Sequence, residues 1–338
     1  SQSRQGDISS NFYLIAFKKI IDKKFDLKDD LTEKIYSISF VEKFEISHNG
    51  FINIKIKKEF LLNQINLLLN QKNKYGQSNL GEGKRINVEF VSANPTGPIT
   101  VAHMRGAVLG DVISSLLSHT GHVVTREYYV NNAGSQIDIL GKSLFKRYSE
   151  LFDKPIELNI NEYPGEYLID IAKLIKNKDG NKWLDIESKE RENYFRNYAV
   201  NYLIDLIEKD LKLLNITFDQ FSFETDIVSS KIINDLFKIL DKEGLLYNGT
   251  LEKPKGDDVD EWEPRKQLLF KSSNIFDDQD RAFKKSNGEW TYFANDAAYH
   301  LDKFNRKFDK LINVWGADHI GYIPRMKSVL KSISKQDN

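Results

Sequence analysis

The stretch from Ile86 to Val130 constrains the fold of this chain more than any other part. Ile86 to Ser92 is apolar enough for a buried strand, Asn94-Pro95-Thr96-Gly97-Pro98 breaks it, and a helix begins near His103 or Arg105. Two prolines and a glycine within five residues make that break a loop, because proline lacks the amide donor a strand interior needs. The helix carries Ala107, Val108, Val112, Ile113, Leu116 and Leu117 on one side and stops at Gly121, a residue suited to the left-handed turn after a helix end. A second strand at His122 to Val130 and a helix from Ser135 to Glu150 follow. Strand, helix and strand in this order predict a right-handed parallel crossover, the start of a nucleotide-binding α/β sheet.

The flanking segments extend this plan. Residues 8 to 25, with Phe12, Leu14, Ile15, Phe17, Ile20 and Ile21 on one face, read as an amphipathic helix. Residues 44 to 48 and 51 to 56 flank Asn49-Gly50 and read as a hairpin, and Glu59 to Asn73 returns to helical spacing. Together they predict a small α+β domain over residues 1–75. The glycine-rich run from Gly76 to Lys84 reads as a linker, since its spacing does not fit a phosphate-binding loop ending in Gly-Lys-Ser/Thr. The first half of the α/β domain is expected at 76–150, and a helical and irregular insertion at 151–288. The second half resumes at 289–338, with a strand at Trp290 to Phe293, a helix from Asp296 to Arg306, a buried strand from Leu311 to Trp315 and a helix from Pro324 to Ile333. The acidic runs Gly256 to Glu261 and Asp277 to Asp280 lack the ligand spacing of a calcium loop and read as solvated turns.

Composition narrows the function classes. At 338 residues the chain is long enough for two or three domains, and 40% apolar with 29% charged residues is ordinary for a soluble globular protein. Lys plus Arg equals Asp plus Glu at 49 each, so nucleic acid would have to be met by local basic faces rather than a global field. With no cysteine there is no disulfide or thiolate zinc site. No long apolar run and no signal-peptide pattern is visible, so a cytoplasmic protein with no membrane association is expected.

The run VEFVSANPTGPITVAHMRGAVLGD, together with TREYYVNNAGSQI at 125 to 137, resembles the class I arginyl-tRNA synthetase family. So do Gly6-Asp7, Gly50-Phe51-Ile52-Asn53 and the late segments WEPRKQLLFKSS, WTYFANDAAYHLDKF and NVWGADHIGYIPRMK, in the same order along the chain. The resemblance implies an α/β fold: a class I synthetase Rossmann-like parallel sheet with a helical insertion, preceded by a small α+β domain that touches tRNA. It implies a ligase that joins L-arginine to tRNA(Arg) at the expense of ATP, with Mg²⁺ carried by the nucleotide and no protein-held metal. A monomer is expected.

The same resemblance assigns roles. Glu89, Asn94, Tyr292, Asp296 and His319 match positions that face arginine, a substrate whose planar guanidinium calls for carboxylates and an aromatic wall. Ser92, Pro95, Gly97, Ala102, His103, Gly316 and Asp318 match positions around ATP. His103, at the start of a helix, would stabilise charge on the α-phosphate. Thr100 and Ala102 stand where the family's His-x-Gly-His signature has its first histidine and its glycine, and Asn132 replaces an Asp. Thr100 can donate a hydrogen bond but carries no positive charge, so weaker transition-state support is expected. The Lys-Met-Ser-Lys-type loop and the anticodon-binding domain are not found in the sequence, which suggests a truncated chain. The competing reading is a non-catalytic synthetase-like paralogue that binds RNA or a partner.

Overall fold

The computed structural model describes residues 6–19, 27–251 and 265–334. The chain divides into two compact units, residues 1–77 and 78–338. In the first, β1 (Ile8–Ser10), α1 (Phe12–Lys19), α2 (Leu27–Tyr36), β2 (Val41–Ile46), β3 (Ile52–Ile56) and α3 (Lys58–Gln71) follow in order. The three strands form an antiparallel sheet ordered β1-β3-β2. Gly50 takes a φ of 80° between β2 and β3, as the Asn49-Gly50 signal requires. The single amphipathic helix expected over 8 to 25 is in fact a strand followed by α1, and Ile20 and Ile21 lie outside the described residues.

The second unit is built on a parallel sheet ordered β10-β4-β5-β6. It begins with β4 (Arg85–Glu89), α4 (Val101–His119), β5 (Val123–Val130) and α5 (Ser135–Glu150), the crossover expected from the sequence. Next come α6 (Tyr167–Asp179), α7 (Ser188–Leu213), β6 (Gln220–Phe223), α8 (Glu224–Ser229) and α9 (Ile232–Lys242). An antiparallel trio follows, β7 (Leu246–Gly249), β8 (Gln267–Phe270) and β9 (Arg281–Lys284), then α10 (Tyr292–Asn305), β10 (Lys310–Asn313) and α11 (Ile323–Ser334).

Two cores flank the parallel sheet, and β5 shows how its period of two feeds both. Tyr128 belongs to the core with α5, α6 and α7, whereas Tyr129 points to the other core and stacks on Tyr299 of α10 at 4.3 Å. The α4 face divides differently from the sequence reading. Ala107 is buried and Ile113 and Leu117 pack against the first core, but Val108, Val112 and Leu116 are exposed. Gly110 sits so close to Phe90 that an added Cβ would lie 2.2 Å from the ring, so α4 packs directly on the chain end of β4.

Other departures have local causes. The insertion read as helical and irregular contributes β6, which pairs in parallel with β5 through Gln220 to Phe223. Asn215, at a φ of 58°, closes α7 just before it. Trp290 to Phe293 is not a sheet strand: Trp290 makes one bridge to Lys284, and the Thr291 hydroxyl accepts from the Ala294 amide, so α10 starts at Tyr292. The strand expected at Leu311 to Trp315 runs from Lys310 to Asn313. Asp277 is no solvated turn residue, because its side chain is 2% exposed and takes two hydrogen bonds from Arg281, at 2.7 and 2.8 Å. The acidic run Gly256 to Glu261 lies outside the described residues. No helix among the described residues is long and apolar enough to cross a membrane.

Candidate active site

The sheet order sets where a ligand can sit. β5 lies on one side of β4 and β10 on the other, so chain connections leave β4 in opposite directions and open a crevice at the carboxyl ends of these strands. Each strand end carries candidate chemistry within a few residues. Asn94 follows β4, Asn131 follows β5, Glu224 follows β6, and Gly316 to His319 follow β10.

At one part of this end, Asn94, Asn131, Ala133, Ser135, Gln136, Ile137 and Tyr292 line a cavity of 320 Å³. The Asn94 amide donates to Gln136 at 3.0 Å. Tyr292 is exposed in the first turn of α10, and Gly134 makes room for it: a Cβ there would lie 2.5 Å from the Tyr292 hydroxyl. One helical turn on, Asp296 lies on the same side of α10 as Tyr292. Tyr322 donates to Asp296 Oδ2 at 2.6 Å. Burial, reinforced by the charges of Glu224 and Glu89, pushes the Asp296 carboxyl up to about 7 against the hydrogen bond from Tyr322.

Glu224 is the second carboxylate. Burial raises its pKa, Asn295 donates to its Oε1 at 3.0 Å, and Asn131, with its amide nitrogen turned inward, donates to Oε2 at 2.5 Å. The Tyr129 hydroxyl and Asn295 Oδ1 are buried without a hydrogen-bond partner among the described residues. Burial first, then the charges of Glu224, Asp296 and Glu89, hold Tyr129 in its neutral form. Two carboxylates whose ionised forms are held at a cost, with unpaired acceptors beside them, make a place that a multidentate cation would stabilise. Sequence reasoning missed Glu224, Asn131, Tyr129, Asn295 and Tyr322. Glu224 opens an unrecognised helix after an unrecognised strand, and only the pairing of β6 with β5 brings it to the site.

Glu89 is placed close enough to raise the pKa of Asp296, but it is 6% exposed and both of its oxygens are engaged, one by Lys303 and the other by the Ser92 hydroxyl at 3.1 Å. Glu89 is therefore already paired within the fold.

The nucleotide candidates fall in two groups. Thr100 is the N-cap of α4, and its backbone N–H donates to His103 Nδ1 at 3.1 Å. With Nδ1 accepting, the proton of the neutral ring sits on Nε2. Pro95 and Gly97 lie in the preceding loop, which Tyr128 and Tyr167 tie down by donating to the carbonyls of Ala93 at 2.9 Å and Thr96 at 2.5 Å. Ala102 is exposed in the first turn of α4. In the second group, Gly316, Ala317 and His319 join Asn313, Trp315 and Ile320 around a cavity of 360 Å³. Asp318 and His319 are both exposed in a short 3₁₀ turn and approach each other at 3.5 Å.

A crevice at the switch point of a parallel sheet, with the loop after the first strand feeding a helix N-terminus, is the arrangement of doubly wound α/β folds, class I synthetases among them. A family model described as tRNA synthetases class I (R), catalytic domain, matches residues 64–335, and one described as arginyl tRNA synthetase N terminal domain matches residues 1–56. The chain belongs to the class I arginyl-tRNA synthetase family. It is 42% identical over 97% of its length to an arginine–tRNA ligase of Ruegeria sp. strain TM1040, and 41% identical to one of Ehrlichia ruminantium strain Gardel, also over 97%. It spans 57% of the length of each of these relatives. A solved structure described as an arginyl-tRNA synthetase of Campylobacter jejuni superimposes with a TM-score of 0.70 at 32% identity, over 82% of this chain and 57% of that one. The arginyl-tRNA synthetase of Thermus thermophilus, at 19% identity and a TM-score of 0.53 over 89% of this chain and 48% of that one, shares the fold.

Proposed function

We propose that this chain carries the amino-acid and nucleotide pockets of an arginine–tRNA ligase, which condenses L-arginine with ATP and passes the arginyl group to tRNA(Arg). The observation that carries the reading is the pair Glu224 and Asp296, both with raised pKa, set beside the orphan acceptors Tyr129 and Asn295. A guanidinium supplies five donors in a fixed plane and a permanent charge, which answers this acceptor set better than a lysine ammonium would. Tyr292 walls the entrance, Asn94 meets the α-amino and carboxylate end, and His319 reaches in from the β10 side.

In the first step an arginine carboxylate oxygen attacks the α-phosphorus of ATP and the bond to pyrophosphate breaks. His103 Nε2–H and the amides at the start of α4 donate to the charge that builds on the α-phosphate oxygens. Ser92, Pro95, Gly97, Ala102, Gly316 and Asp318 surround the nucleotide in this reading, and Mg²⁺ arrives on its phosphates. In the second step a hydroxyl of the terminal adenosine of tRNA attacks the arginyl carbonyl and AMP leaves. Residues 1–75 are assigned to tRNA contact, 76–150 and 289–338 to the catalytic domain and 151–288 to its insertion. The protein is proposed to act in the cytoplasm as a monomer.

The test is arginine binding to this chain by calorimetry. Asp296→Ala and Glu224→Gln weaken it strongly, whereas Asp170→Ala, on an exposed helix position, leaves it intact. Equal effects of all three remove the two acids from the site. Thr100 and Ala102 favour a second reading, a synthetase-like module that binds RNA or a partner without catalysis. A protein that binds arginine yet forms no adenylate with ATP and tRNA(Arg) present fits that reading instead.

A further inference from the structure

We infer that Glu89 and Lys303 are positioning residues that hold the nucleotide loop in a strained turn through Ser92, and that Glu89 is not an acceptor for the substrate guanidinium. The chain direction changes abruptly after β4. Val91 has a φ of 65° and Ser92 a φ of 40°, both in the left-handed region, and the Ser92 amide donates to the Phe90 carbonyl at 2.9 Å. A two-residue hydrogen bond around a positive-φ centre is a strained γ-turn, and a β-branched residue at its centre is a rare outlier. Such a turn persists only where its surroundings over-determine it.

Side-chain contacts of Ser92 and Glu89 do so. The Ser92 hydroxyl accepts from the Tyr129 amide at 3.1 Å and donates to Glu89 Oε1 at 3.1 Å, so both its capacities as donor and acceptor are used. Glu89 Oε2 is ion-paired with Lys303, whose side chain is 0% exposed. Lys303 also donates to Asn313 Oδ1 at 3.0 Å, and its ammonium lies 4.5 Å over the Tyr299 ring. Its three N–H directions are therefore met by a carboxylate, an amide oxygen and a ring face, which leaves none for a phosphate. From Asn313 the chain of contacts runs on: its amide donates to His300 Nε2 at 2.8 Å, and His300 Nδ1 donates to the Asp296 carbonyl at 2.8 Å. Burial, with the nearby Lys303 charge, lowers the His300 pKa to about 4, which keeps the ring neutral as this arrangement needs.

One buried chain thus links the β4 loop that opens toward α4 with the helix that carries Asp296. The charge of Glu89 is already neutralised by Lys303, so a guanidinium seeking it would have to displace a buried lysine. Glu224 and Asp296 carry no such partner cation within hydrogen-bond reach among the described residues and remain the acceptors for arginine.

The experiment uses this chain with Ser92→Ala, Glu89→Gln, Lys303→Met, Lys303→Arg and the double variant Glu89→Gln/Lys303→Met. Amide exchange of the peptide covering 90–97 is expected to quicken about ten-fold or more in Ser92→Ala and Lys303→Met, with the α5 and α7 peptides unchanged, and to recover partly in Lys303→Arg. The double variant is expected to be no worse than either single one, because the two charges act as a unit. The ratio of affinities for arginine and its neutral isostere citrulline, by calorimetry, stays at the wild-type value in Glu89→Gln and collapses in Glu224→Gln. Loss of that ratio in Glu89→Gln, or unchanged exchange at 90–97 in Ser92→Ala, overturns the inference. The discrimination arm rests on the arginine reading, and a Glu224→Gln protein that still discriminates defeats that reading while the exchange arm still decides the strut. Where Lys303→Met does not fold, Ser92→Ala, which leaves the buried pair intact, decides alone.

Discussion

On the proposed arginine reading, the raised pKa of Asp296 makes binding a function of pH, and its sign and approximate size follow. Burial, Glu224 and Glu89 lift this carboxyl from 3.8 to about 7, and Tyr322 opposes them. Arginine carries its charge across the whole accessible range, so only the ionised acid pairs with it. For a site that titrates near 7, about half the molecules are ready at pH 7, about a tenth at pH 6 and about nine-tenths at pH 8. The expected dissociation constant therefore weakens about five-fold from pH 7 to pH 6 and tightens less than about two-fold from pH 7 to pH 8. Binding also releases protons, most of them below neutrality, and calorimetry in buffers of different ionisation enthalpy reads that release directly. Tyr322→Phe removes the group that lowers the Asp296 pKa, so the profile moves to higher pH. Asp296→Asn removes the pH dependence and about ten-fold or more of the affinity, the loss of one charge-assisted hydrogen bond. Affinity that stays flat from pH 6 to pH 8, with no proton release, refutes the placement of an ionised Asp296 on the guanidinium.

Gly134→Ala forces a side chain to a φ of 87° and brings a Cβ within 2.5 Å of the Tyr292 hydroxyl; a stability loss above about 1 kcal/mol in urea unfolding and weaker arginine binding are expected together. Gly110→Ala overpacks Phe90 at 2.2 Å and is expected to cost about 1–3 kcal/mol by the same measurement, with no direct effect on the arginine acids. Burial works to raise the Glu127 pKa, but hydrogen bonds from Arg306 and Ser222 and the charge of Lys303 outweigh it and hold the carboxyl below 4.5. Its contribution is therefore complete above pH 4.5 and lost as the pH falls through the depressed folded value, so Glu127→Gln is expected to flatten the acid limb of an unfolding profile. Thr100→His is expected to raise arginine-dependent pyrophosphate exchange, measured with tRNA(Arg) present, by about ten-fold, since an imidazole can add charge where Thr100 offers a hydroxyl. An unchanged rate means the Thr100 cap on His103 already supplies what the step needs.

The sequence by itself determined those parts whose physics is local. The apolar strand, the double-proline loop and the helix stop at Gly121 were sufficient to place β4, α4 and β5, and Asn49-Gly50 placed its hairpin, because backbone preference and hydrophobic period act over a few residues. The resemblance then named Asn94, Tyr292 and Asp296, and the structure sets Asn94 and Tyr292 on one cavity wall with Asp296 a turn behind Tyr292 on α10. What lay beyond the sequence depended on contacts between distant residues. β6 is four residues long and becomes a strand by pairing with β5, and Glu224 joins the candidate site only through that pairing. Glu127 is satisfied by Ser222, Tyr299 and Arg306, and Glu89 by Lys303, partners 95 to 214 residues away. Tertiary structure decided which acids are neutralised and which are left for a cation, because the cost of a buried charge is set by whatever the fold brings within about 3 Å of it.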